Sequence, residues 1–338
     1  MTMRAIVCET PGLLQRVERP MPVRGEDEVL VRIRRVGVCG TDLHIFSGNQ
    51  PYLSYPRVMG HELSGTVEEA PPGSGLATSD IVFIMPYMSC GRCHACLQGK
   101  TNCCSEIQVL GVHRDGGMTE FLSLPRQFVH HAEGVSLEQA AMIEFLAIGA
   151  HAVRRGRAAP GQSVLVVGAG PIGLAVALFA IEAGARVVML DGRADRLAFA
   201  MRHLAVSGVV QLGEADTAEL SALTDGNFFD VVFDATGNAA AMERGFGFVA
   251  HGGTYLLVSI VADRISFSDP EFHKRETSLL GSRNATIEDF RQVLEVMRAG
   301  RIPTDALCTH RMTLDAVPTD FHTLLDPGQR VVKGMIEI

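Results

Sequence analysis

The chain has 338 residues, more than most single domains, so two domains are expected. Apolar residues make up 47% and charged residues 20%, which suits a globular protein with filled cores, and the formal net charge of −8 argues against an extended nucleic-acid surface. The opening stretch "MTMRAIVCET" shows no charged leader followed by an apolar core, so a soluble, cytoplasmic setting is expected.

Along the first third, "EVLVRIRRVGVC" (28–39), "LSGTVEEA" (63–70) and "DIVFIMPYM" read as short strands broken by Gly and Pro, which is barrel-like β material. Cys39 and His61–Glu62 fall in or beside these runs. Taken singly, each has a plain structural explanation, because buried cysteines and satisfied histidines are common. Five of the 8 cysteines then crowd between Cys90 and Cys104. In a chain without an export signal this points to metal before disulfides. Cys90, Cys93, Cys96 and Cys104 are spaced C-x₂-C-x₂-C-x₇-C, and four thiolates that close together can saturate one tetrahedral zinc ion. Such a site is structural, since no coordination position stays open.

A helix is expected from Ser136, where Ser136 and Gln139 form a capping box. Within it, "MIEFLAIGAHAV" (142–153) carries Glu144 in an otherwise apolar run, a costly place for an unpaired carboxylate. Cys39, His61, Glu62 and Glu144 together supply ligand types that zinc accepts.

From Gln162 the pattern changes. "SVLVVGAG", "ARVVMLD", "GVVQL", "FDVVFDATG" and "GTYLLVSI" are β runs, mostly separated by helix-length segments, which implies an α/β doubly wound parallel sheet. The 18 uncharged residues Val164–Ile181 approach a membrane span in length, but the internal G-x-G-P-x-G marks a strand, a tight turn and a helix start. No membrane association is therefore expected. Gly168, Gly170 and Gly173, with Pro171 and Ile172 between them, form G-x-G-x-x-G, and Asp191 ends the next strand 23 residues after Gly168. That is the dinucleotide fingerprint: glycines for the turn, the pyrophosphate approach and helix packing, and an acid for the ribose hydroxyls. Asp191 favours NAD over NADP, while Arg193 and Arg196 nearby soften that preference. The tail holds a helix, "TIEDFRQVLEVMRAG", and a closing apolar run, "VVKGMIEI". The expected boundaries are 1–149, 150–285 and 286–338, with the tail returning to the first domain.

The motifs "CGTDLH", "GHE", the four-cysteine lobe, "GAGPIG" and Asp191 occur in an order and spacing that resemble the zinc-dependent medium-chain alcohol dehydrogenases along essentially the full chain. The resemblance implies a GroES-like catalytic domain, a Rossmann domain and an active site in the cleft between them. It implies Cys39 and His61 as catalytic zinc ligands, with Glu62 as an additional or alternate one and Asp42 orienting the histidine. Thr41 would hydrogen-bond the substrate oxygen, His44 would end the proton relay, and Cys90, Cys93, Cys96 and Cys104 would hold the structural zinc. Glu144 falls where the sorbitol and threonine dehydrogenase branches place a third ligand, usually in "E-P-L-A"; here Phe145 replaces the proline. All four catalytic candidates bound at once would exclude substrate, so one carboxylate is expected to give way.

A site this rich in oxygen donors suits polyols or sugar acids. The stretch "DPEFHKRETSLLGSRNAT", with "GVHRDGGM" earlier, resembles the bacterial hexonate-type dehydrogenases that oxidise galactonate- or gulonate-like acids. Arg283 is the expected clamp for a substrate carboxylate, with His113, Lys274 and Asn284 as lesser candidates. The alternatives are oxidation of another small alcohol or a threonine-like amino alcohol, a zinc-free reductase of the same fold, and a regulator that binds NAD and zinc without turnover. The resemblance also implies a homodimer or homotetramer formed through the Rossmann domain.

Overall fold

The computed structural model describes residues 1–50 and 53–338. It divides into two compact units, Met1–Glu144 with Thr286–Ile338, and Phe145–Ala285. The first division falls inside the helix Ile143–Gly156, a few residues ahead of the 149/150 boundary read from composition; the second falls at 285/286. The helix has no break that the composition could register, because its apolar residues run through the junction.

The first unit is β-rich. A seven-stranded sheet runs in the order Val129–His131, Ile81–Ile84, Glu62–Glu69, Glu28–Val38, Lys333–Glu337, Cys308–Thr313, with Phe121–Pro125 also paired to Glu28–Val38. Glu28–Val38 earns its central place by sequence: Val29, Val31 and Ile33 are fully buried, and its β-branched run fits a strand covered on both faces. Its two neighbours fix the chemistry described below. Gly37 lies opposite Glu62 on one side, and Val38 lies opposite Gly334 on the other. The last strand, "VVKGMIEI" in the sequence, thus joins the chain's end to its beginning. A second sheet pairs Thr2–Thr10 with Leu13–Pro20 and Arg57–Val58.

The second unit holds a six-stranded sheet, every neighbouring pair parallel, in the order Gly208–Gln211, Arg186–Asp191, Ser163–Val167, Phe229–Asp234, Val249–Leu257, Ser278–Gly281. In chain order this is 3-2-1-4-5-6, with the switch point between Ser163–Val167 and Phe229–Asp234, where ligands sit beyond the carboxyl ends of the strands. Leu165, Val167, Val188, Phe229, Val232 and Tyr255 form its core. The long uncharged run of the sequence resolves into the strand Ser163–Val167 and the helix Pro171–Glu182. Among the described residues no helix is long and apolar enough to cross a membrane.

Candidate metal centres and dinucleotide site

Cys39 ends the central strand and caps the helix Gly40–Phe46, while His61 and Glu62 stand at the start of the neighbouring strand. Register alone therefore brings the two segments together: ligand atoms of Cys39, His61 and Glu62 lie within 4.8 Å of one another. Asp42, fully buried, ties the pieces. One oxygen accepts from the Cys39 amide (2.9 Å) and the other from the Gly60 amide (3.1 Å), 3.8 Å from His61 Nδ1. Asp42 thus fixes the backbone on both sides of the donor set. Burial opposes charge on His61, but Asp42, Cys39 and Glu144 outweigh it and hold the imidazole well above its ordinary range.

The cysteine, imidazole and carboxylate groups fit a zinc ion on an observation independent of motif. Glu144 is 3% exposed; Oε1 accepts a hydrogen bond from the Tyr87 hydroxyl, while Oε2 is buried without a hydrogen-bond partner. Burial and the adjacent Glu62, against the pull of His61, Tyr87 and Lys333, carry the Glu144 carboxyl up to about 7. A carboxyl crowded in this way either keeps its proton or is paired by a cation, and a zinc ion beside Cys39 and His61 would be such a cation.

Glu62 already has one. Lys333, 1% exposed, donates from Nζ to both Glu62 oxygens (2.6 and 2.9 Å) and to the Val38 carbonyl (3.2 Å). Burial disfavours the ammonium, yet Glu62 and Cys39 hold its pKa above the ordinary lysine value. The pair crosses the central strand at Gly37, where an added Cβ would stand 2.1 Å from Glu62 Oε2. Sequence reasoning missed Lys333, Tyr87 and Gly37. The available signal for Lys333 was a lone lysine inside the closing apolar run, the same anomaly that drew notice to Glu144.

Thr41 is half-buried on the first turn of its helix and its hydroxyl has no hydrogen-bond partner among the described residues; His44, one turn on, is exposed. The second cysteine set is compact as well, with the thiols of Cys90, Cys93, Cys96 and Cys104 within 4.8 Å of one another and Cys103 exposed beside them. Amide hydrogens reach in: Cys93 donates to Cys90 Sγ (3.4 Å), and Cys90 and Glu106 donate to Cys104 Sγ (3.3 and 3.4 Å). Backbone amides of Cys96 and Ser105 bring the Cys93 thiol down to about 5, while burial and the adjacent Cys93 push the Cys96 thiol up to about 12.

In the second unit Gly168 adopts φ +99°, open to glycine and strained for other residues, and a Cβ on Gly173 would meet the Gly168 carbonyl at 1.7 Å. Gly170 caps the helix that Pro171 and Ile172 begin, leaving its first amides free for an anion. Asp191 accepts from the Ala169 amide (2.6 Å) and the Arg193 amide (2.7 Å), so the acid braces the turn it follows. Arg193 is held bidentate by Asp195, and Arg196 stands 3.9 Å from Asp191.

The substrate candidates divide between the two units. His113, in the first unit, uses Nδ1 to accept from the Val109 amide (3.1 Å). In the second, Lys274 is exposed beside Glu271, Arg283 is exposed, and Asn284 adopts φ +51° with Nδ2 buried and unpaired.

A sheet switch point with a glycine turn, a saturated thiolate lobe and a separate cysteine–histidine–carboxylate set define a metal-dependent, dinucleotide-linked dehydrogenase. Residues 25–134 match the alcohol dehydrogenase GroES-like domain and residues 171–299 the zinc-binding dehydrogenase domain. The chain is 42% identical to the L-galactonate-5-dehydrogenase of Escherichia coli strain K12, across 99% of each chain. It is 30% identical to a sorbitol dehydrogenase of Halalkalibacterium halodurans over 91% of each. The crystal structure of an alcohol dehydrogenase from Escherichia coli CFT073 complexed with NADH superposes with a TM-score of 0.92 at 28% identity, covering 100% of this chain and 99% of that one. The chain belongs to the zinc-dependent alcohol dehydrogenase family, as its motifs implied, and is an oxidoreductase with the GroES-like and Rossmann architecture.

Proposed function

We propose that this chain oxidises a secondary alcohol of a sugar acid, with hexonates of the galactonate type as its substrate class and NAD as its acceptor. The observation that carries the metal-dependent step is the compact donor set Cys39, His61 and Glu62, together with a buried Glu144 Oε2 that has no hydrogen-bond partner among the described residues. Cys39, His61 and Glu144 would hold the catalytic zinc, and Cys90, Cys93, Cys96 and Cys104 the structural one. Zinc in the first set supplies Lewis-acid stabilisation of the alcohol's oxyanion. NAD held at the turn Gly168–Gly173 would supply the hydride acceptor.

The residues do the rest. Lys333 engages both oxygens of Glu62, which supports Glu144 as the third ligand and would leave one position for substrate. Asp42 fixes the approach of Cys39 and His61. Thr41, its hydroxyl uncommitted among the described residues, would relay the alcohol proton, accepting it while releasing its own outward toward exposed His44, which passes a proton to solvent. Asp191 receives the ribose, and the Asp195 grip on Arg193 removes one cation that a 2′-phosphate would need, supporting NAD over NADP. Arg283, with His113, Lys274 and Asn284 as lesser candidates, meets the substrate carboxylate. Similarity to an L-galactonate-5-dehydrogenase at 42% identity supports this substrate class over amino alcohols. We further propose a cytoplasmic homodimer or homotetramer: the thiolate lobe needs a reducing compartment, and Ser278–Gly281 leaves an open sheet edge with Leu279 exposed.

NADH formation on a panel of L-galactonate, L-gulonate, sorbitol, xylitol and L-threonine tests the reading. Hexonates turning over fastest, with loss on chelation, supports it. Full zinc content with no turnover on any member would favour a regulator. Arg283→Ala should raise KM for the acids and spare the neutral polyols.

A further inference from the structure

At the amino ends of the parallel strands, opposite the glycine turn, the second unit contains a cavity of about 440 Å³ that the dehydrogenase reading leaves unused. Its walls come from the last turn of the helix Ile143–Gly156, from Gln162 ahead of the strand Ser163–Val167, from Asp230 at the start of the next strand, and from the segment His251–Thr254. This volume falls in the range of small-molecule sites.

The lining is rich in donors and poor in acceptors. Arg157 and His251 have no hydrogen-bond or ion-pair partner among the described residues, and Thr254 likewise leaves its hydroxyl uncommitted. Arg155 spends only its Nε, on the Gly281 carbonyl, so its terminal nitrogens are available. Gln162 uses its carbonyl oxygen to accept from the Ala159 amide, which leaves its NH₂ group to donate. The one carboxylate, Asp230, is engaged through a single oxygen by the amide (2.7 Å) and hydroxyl (2.9 Å) of Ser163. Arg157 also stands just after the helix in a left-handed conformation, φ +55°, where glycine is the usual residue. A guanidinium is thus displayed at a position where backbone energetics favour having no side chain.

We propose that this cavity binds a phosphorylated, hydroxyl-bearing metabolite of sugar-phosphate size. Two guanidinium groups in one cleft suit phosphate geometry, and the uncommitted amide and hydroxyl groups suit a polyhydroxylated body. The site is separate from the dinucleotide turn, because the two lie at opposite ends of the strand Ser163–Val167. It goes beyond the proposed activity and does not depend on it.

Calorimetric titration of the zinc-loaded protein, with saturating NADH so that the helix beginning at Pro171 is already occupied, tests the assignment. The probes are glucose 6-phosphate, inorganic phosphate, gluconate and glucose. Glucose 6-phosphate should bind most tightly, inorganic phosphate more weakly, and glucose not at all. Arg157→Gly suits the left-handed backbone and should fold normally while weakening glucose 6-phosphate about tenfold or more, the scale of a lost charge-assisted hydrogen bond. His251→Gln should weaken it independently, and neither variant should change KM for NAD. Absence of binding, equal binding of gluconate, or undiminished binding in both variants would overturn the proposal.

Discussion

Lys333→Met tests whether the buried ion pair carries the architecture of the metal centre. The substitution keeps most of the side chain's length, ending one atom short of Nζ, and removes its charge. Glu62, 0% exposed, would lose hydrogen bonds of 2.6 and 2.9 Å and the ammonium paired with it, with Glu144 and Cys39 still close by. Breaking a buried pair on one side costs about 3–5 kcal/mol, because the remaining charge is left uncompensated. Adding Glu62→Gln removes that charge, so the double variant should recover all but about 1 kcal/mol, the cost of imperfect hydrogen bonding. Urea denaturation of chelated protein should show the full loss; in zinc-loaded protein the loss should shrink as Glu62 turns toward the metal. Gly37→Ala provides an independent check, since its Cβ would occupy the path of the carboxylate across the strand. A Lys333→Met protein within about 1 kcal/mol of wild type would refute the reasoning, as would a double variant no more stable than the single one.

Tyr87→Phe leaves Glu144 without its hydroxyl donor and should weaken retention of the catalytic zinc by about tenfold to a hundredfold, measured by chelator competition. Cys93→Ser should lower zinc content from two ions per chain to one by elemental analysis and reduce the thermal midpoint, because binding at a saturated lobe is coupled to folding. Gly173→Ala forces a clash with the Gly168 carbonyl and should cost about 1–3 kcal/mol along with much of the NADH affinity, followed by fluorescence titration. His130 is stacked on Phe83 with Nε2 buried and unpaired, and burial, reinforced by Arg126 and Arg291, lowers its pKa to about 4. Unfolded histidine titrates near about 6.5, so between these values the unfolded chain binds more protons and stability falls as pH drops, by at most about 3 kcal/mol. Denaturation midpoints across that window should flatten in His130→Gln; an unchanged profile would assign the pH dependence elsewhere.

The local sequence was enough for features whose physics is local. The four-cysteine lobe closes within 15 residues, from Cys90 to Cys104. The turn Gly168–Gly173 and its following acid lie in one strand–helix–strand unit, and the capping box of Ser136 and Gln139 forms as its residues require. Cys39 and His61 were legible only with the family resemblance, because nothing local says that their strands are neighbours. Lys333 was not legible at all: it lies 271 positions from Glu62, and only the antiparallel pairing of the chain's last strand with Glu28–Val38 brings it across Gly37. Glu144 shows the same division. Its sequence revealed a buried carboxylate in need of a partner. Which partners it has, a tyrosine on one oxygen and no hydrogen-bond donor among the described residues on the other, was decided by long-range packing, because the energy of a buried charge depends on groups that the chain places beside it only once folded.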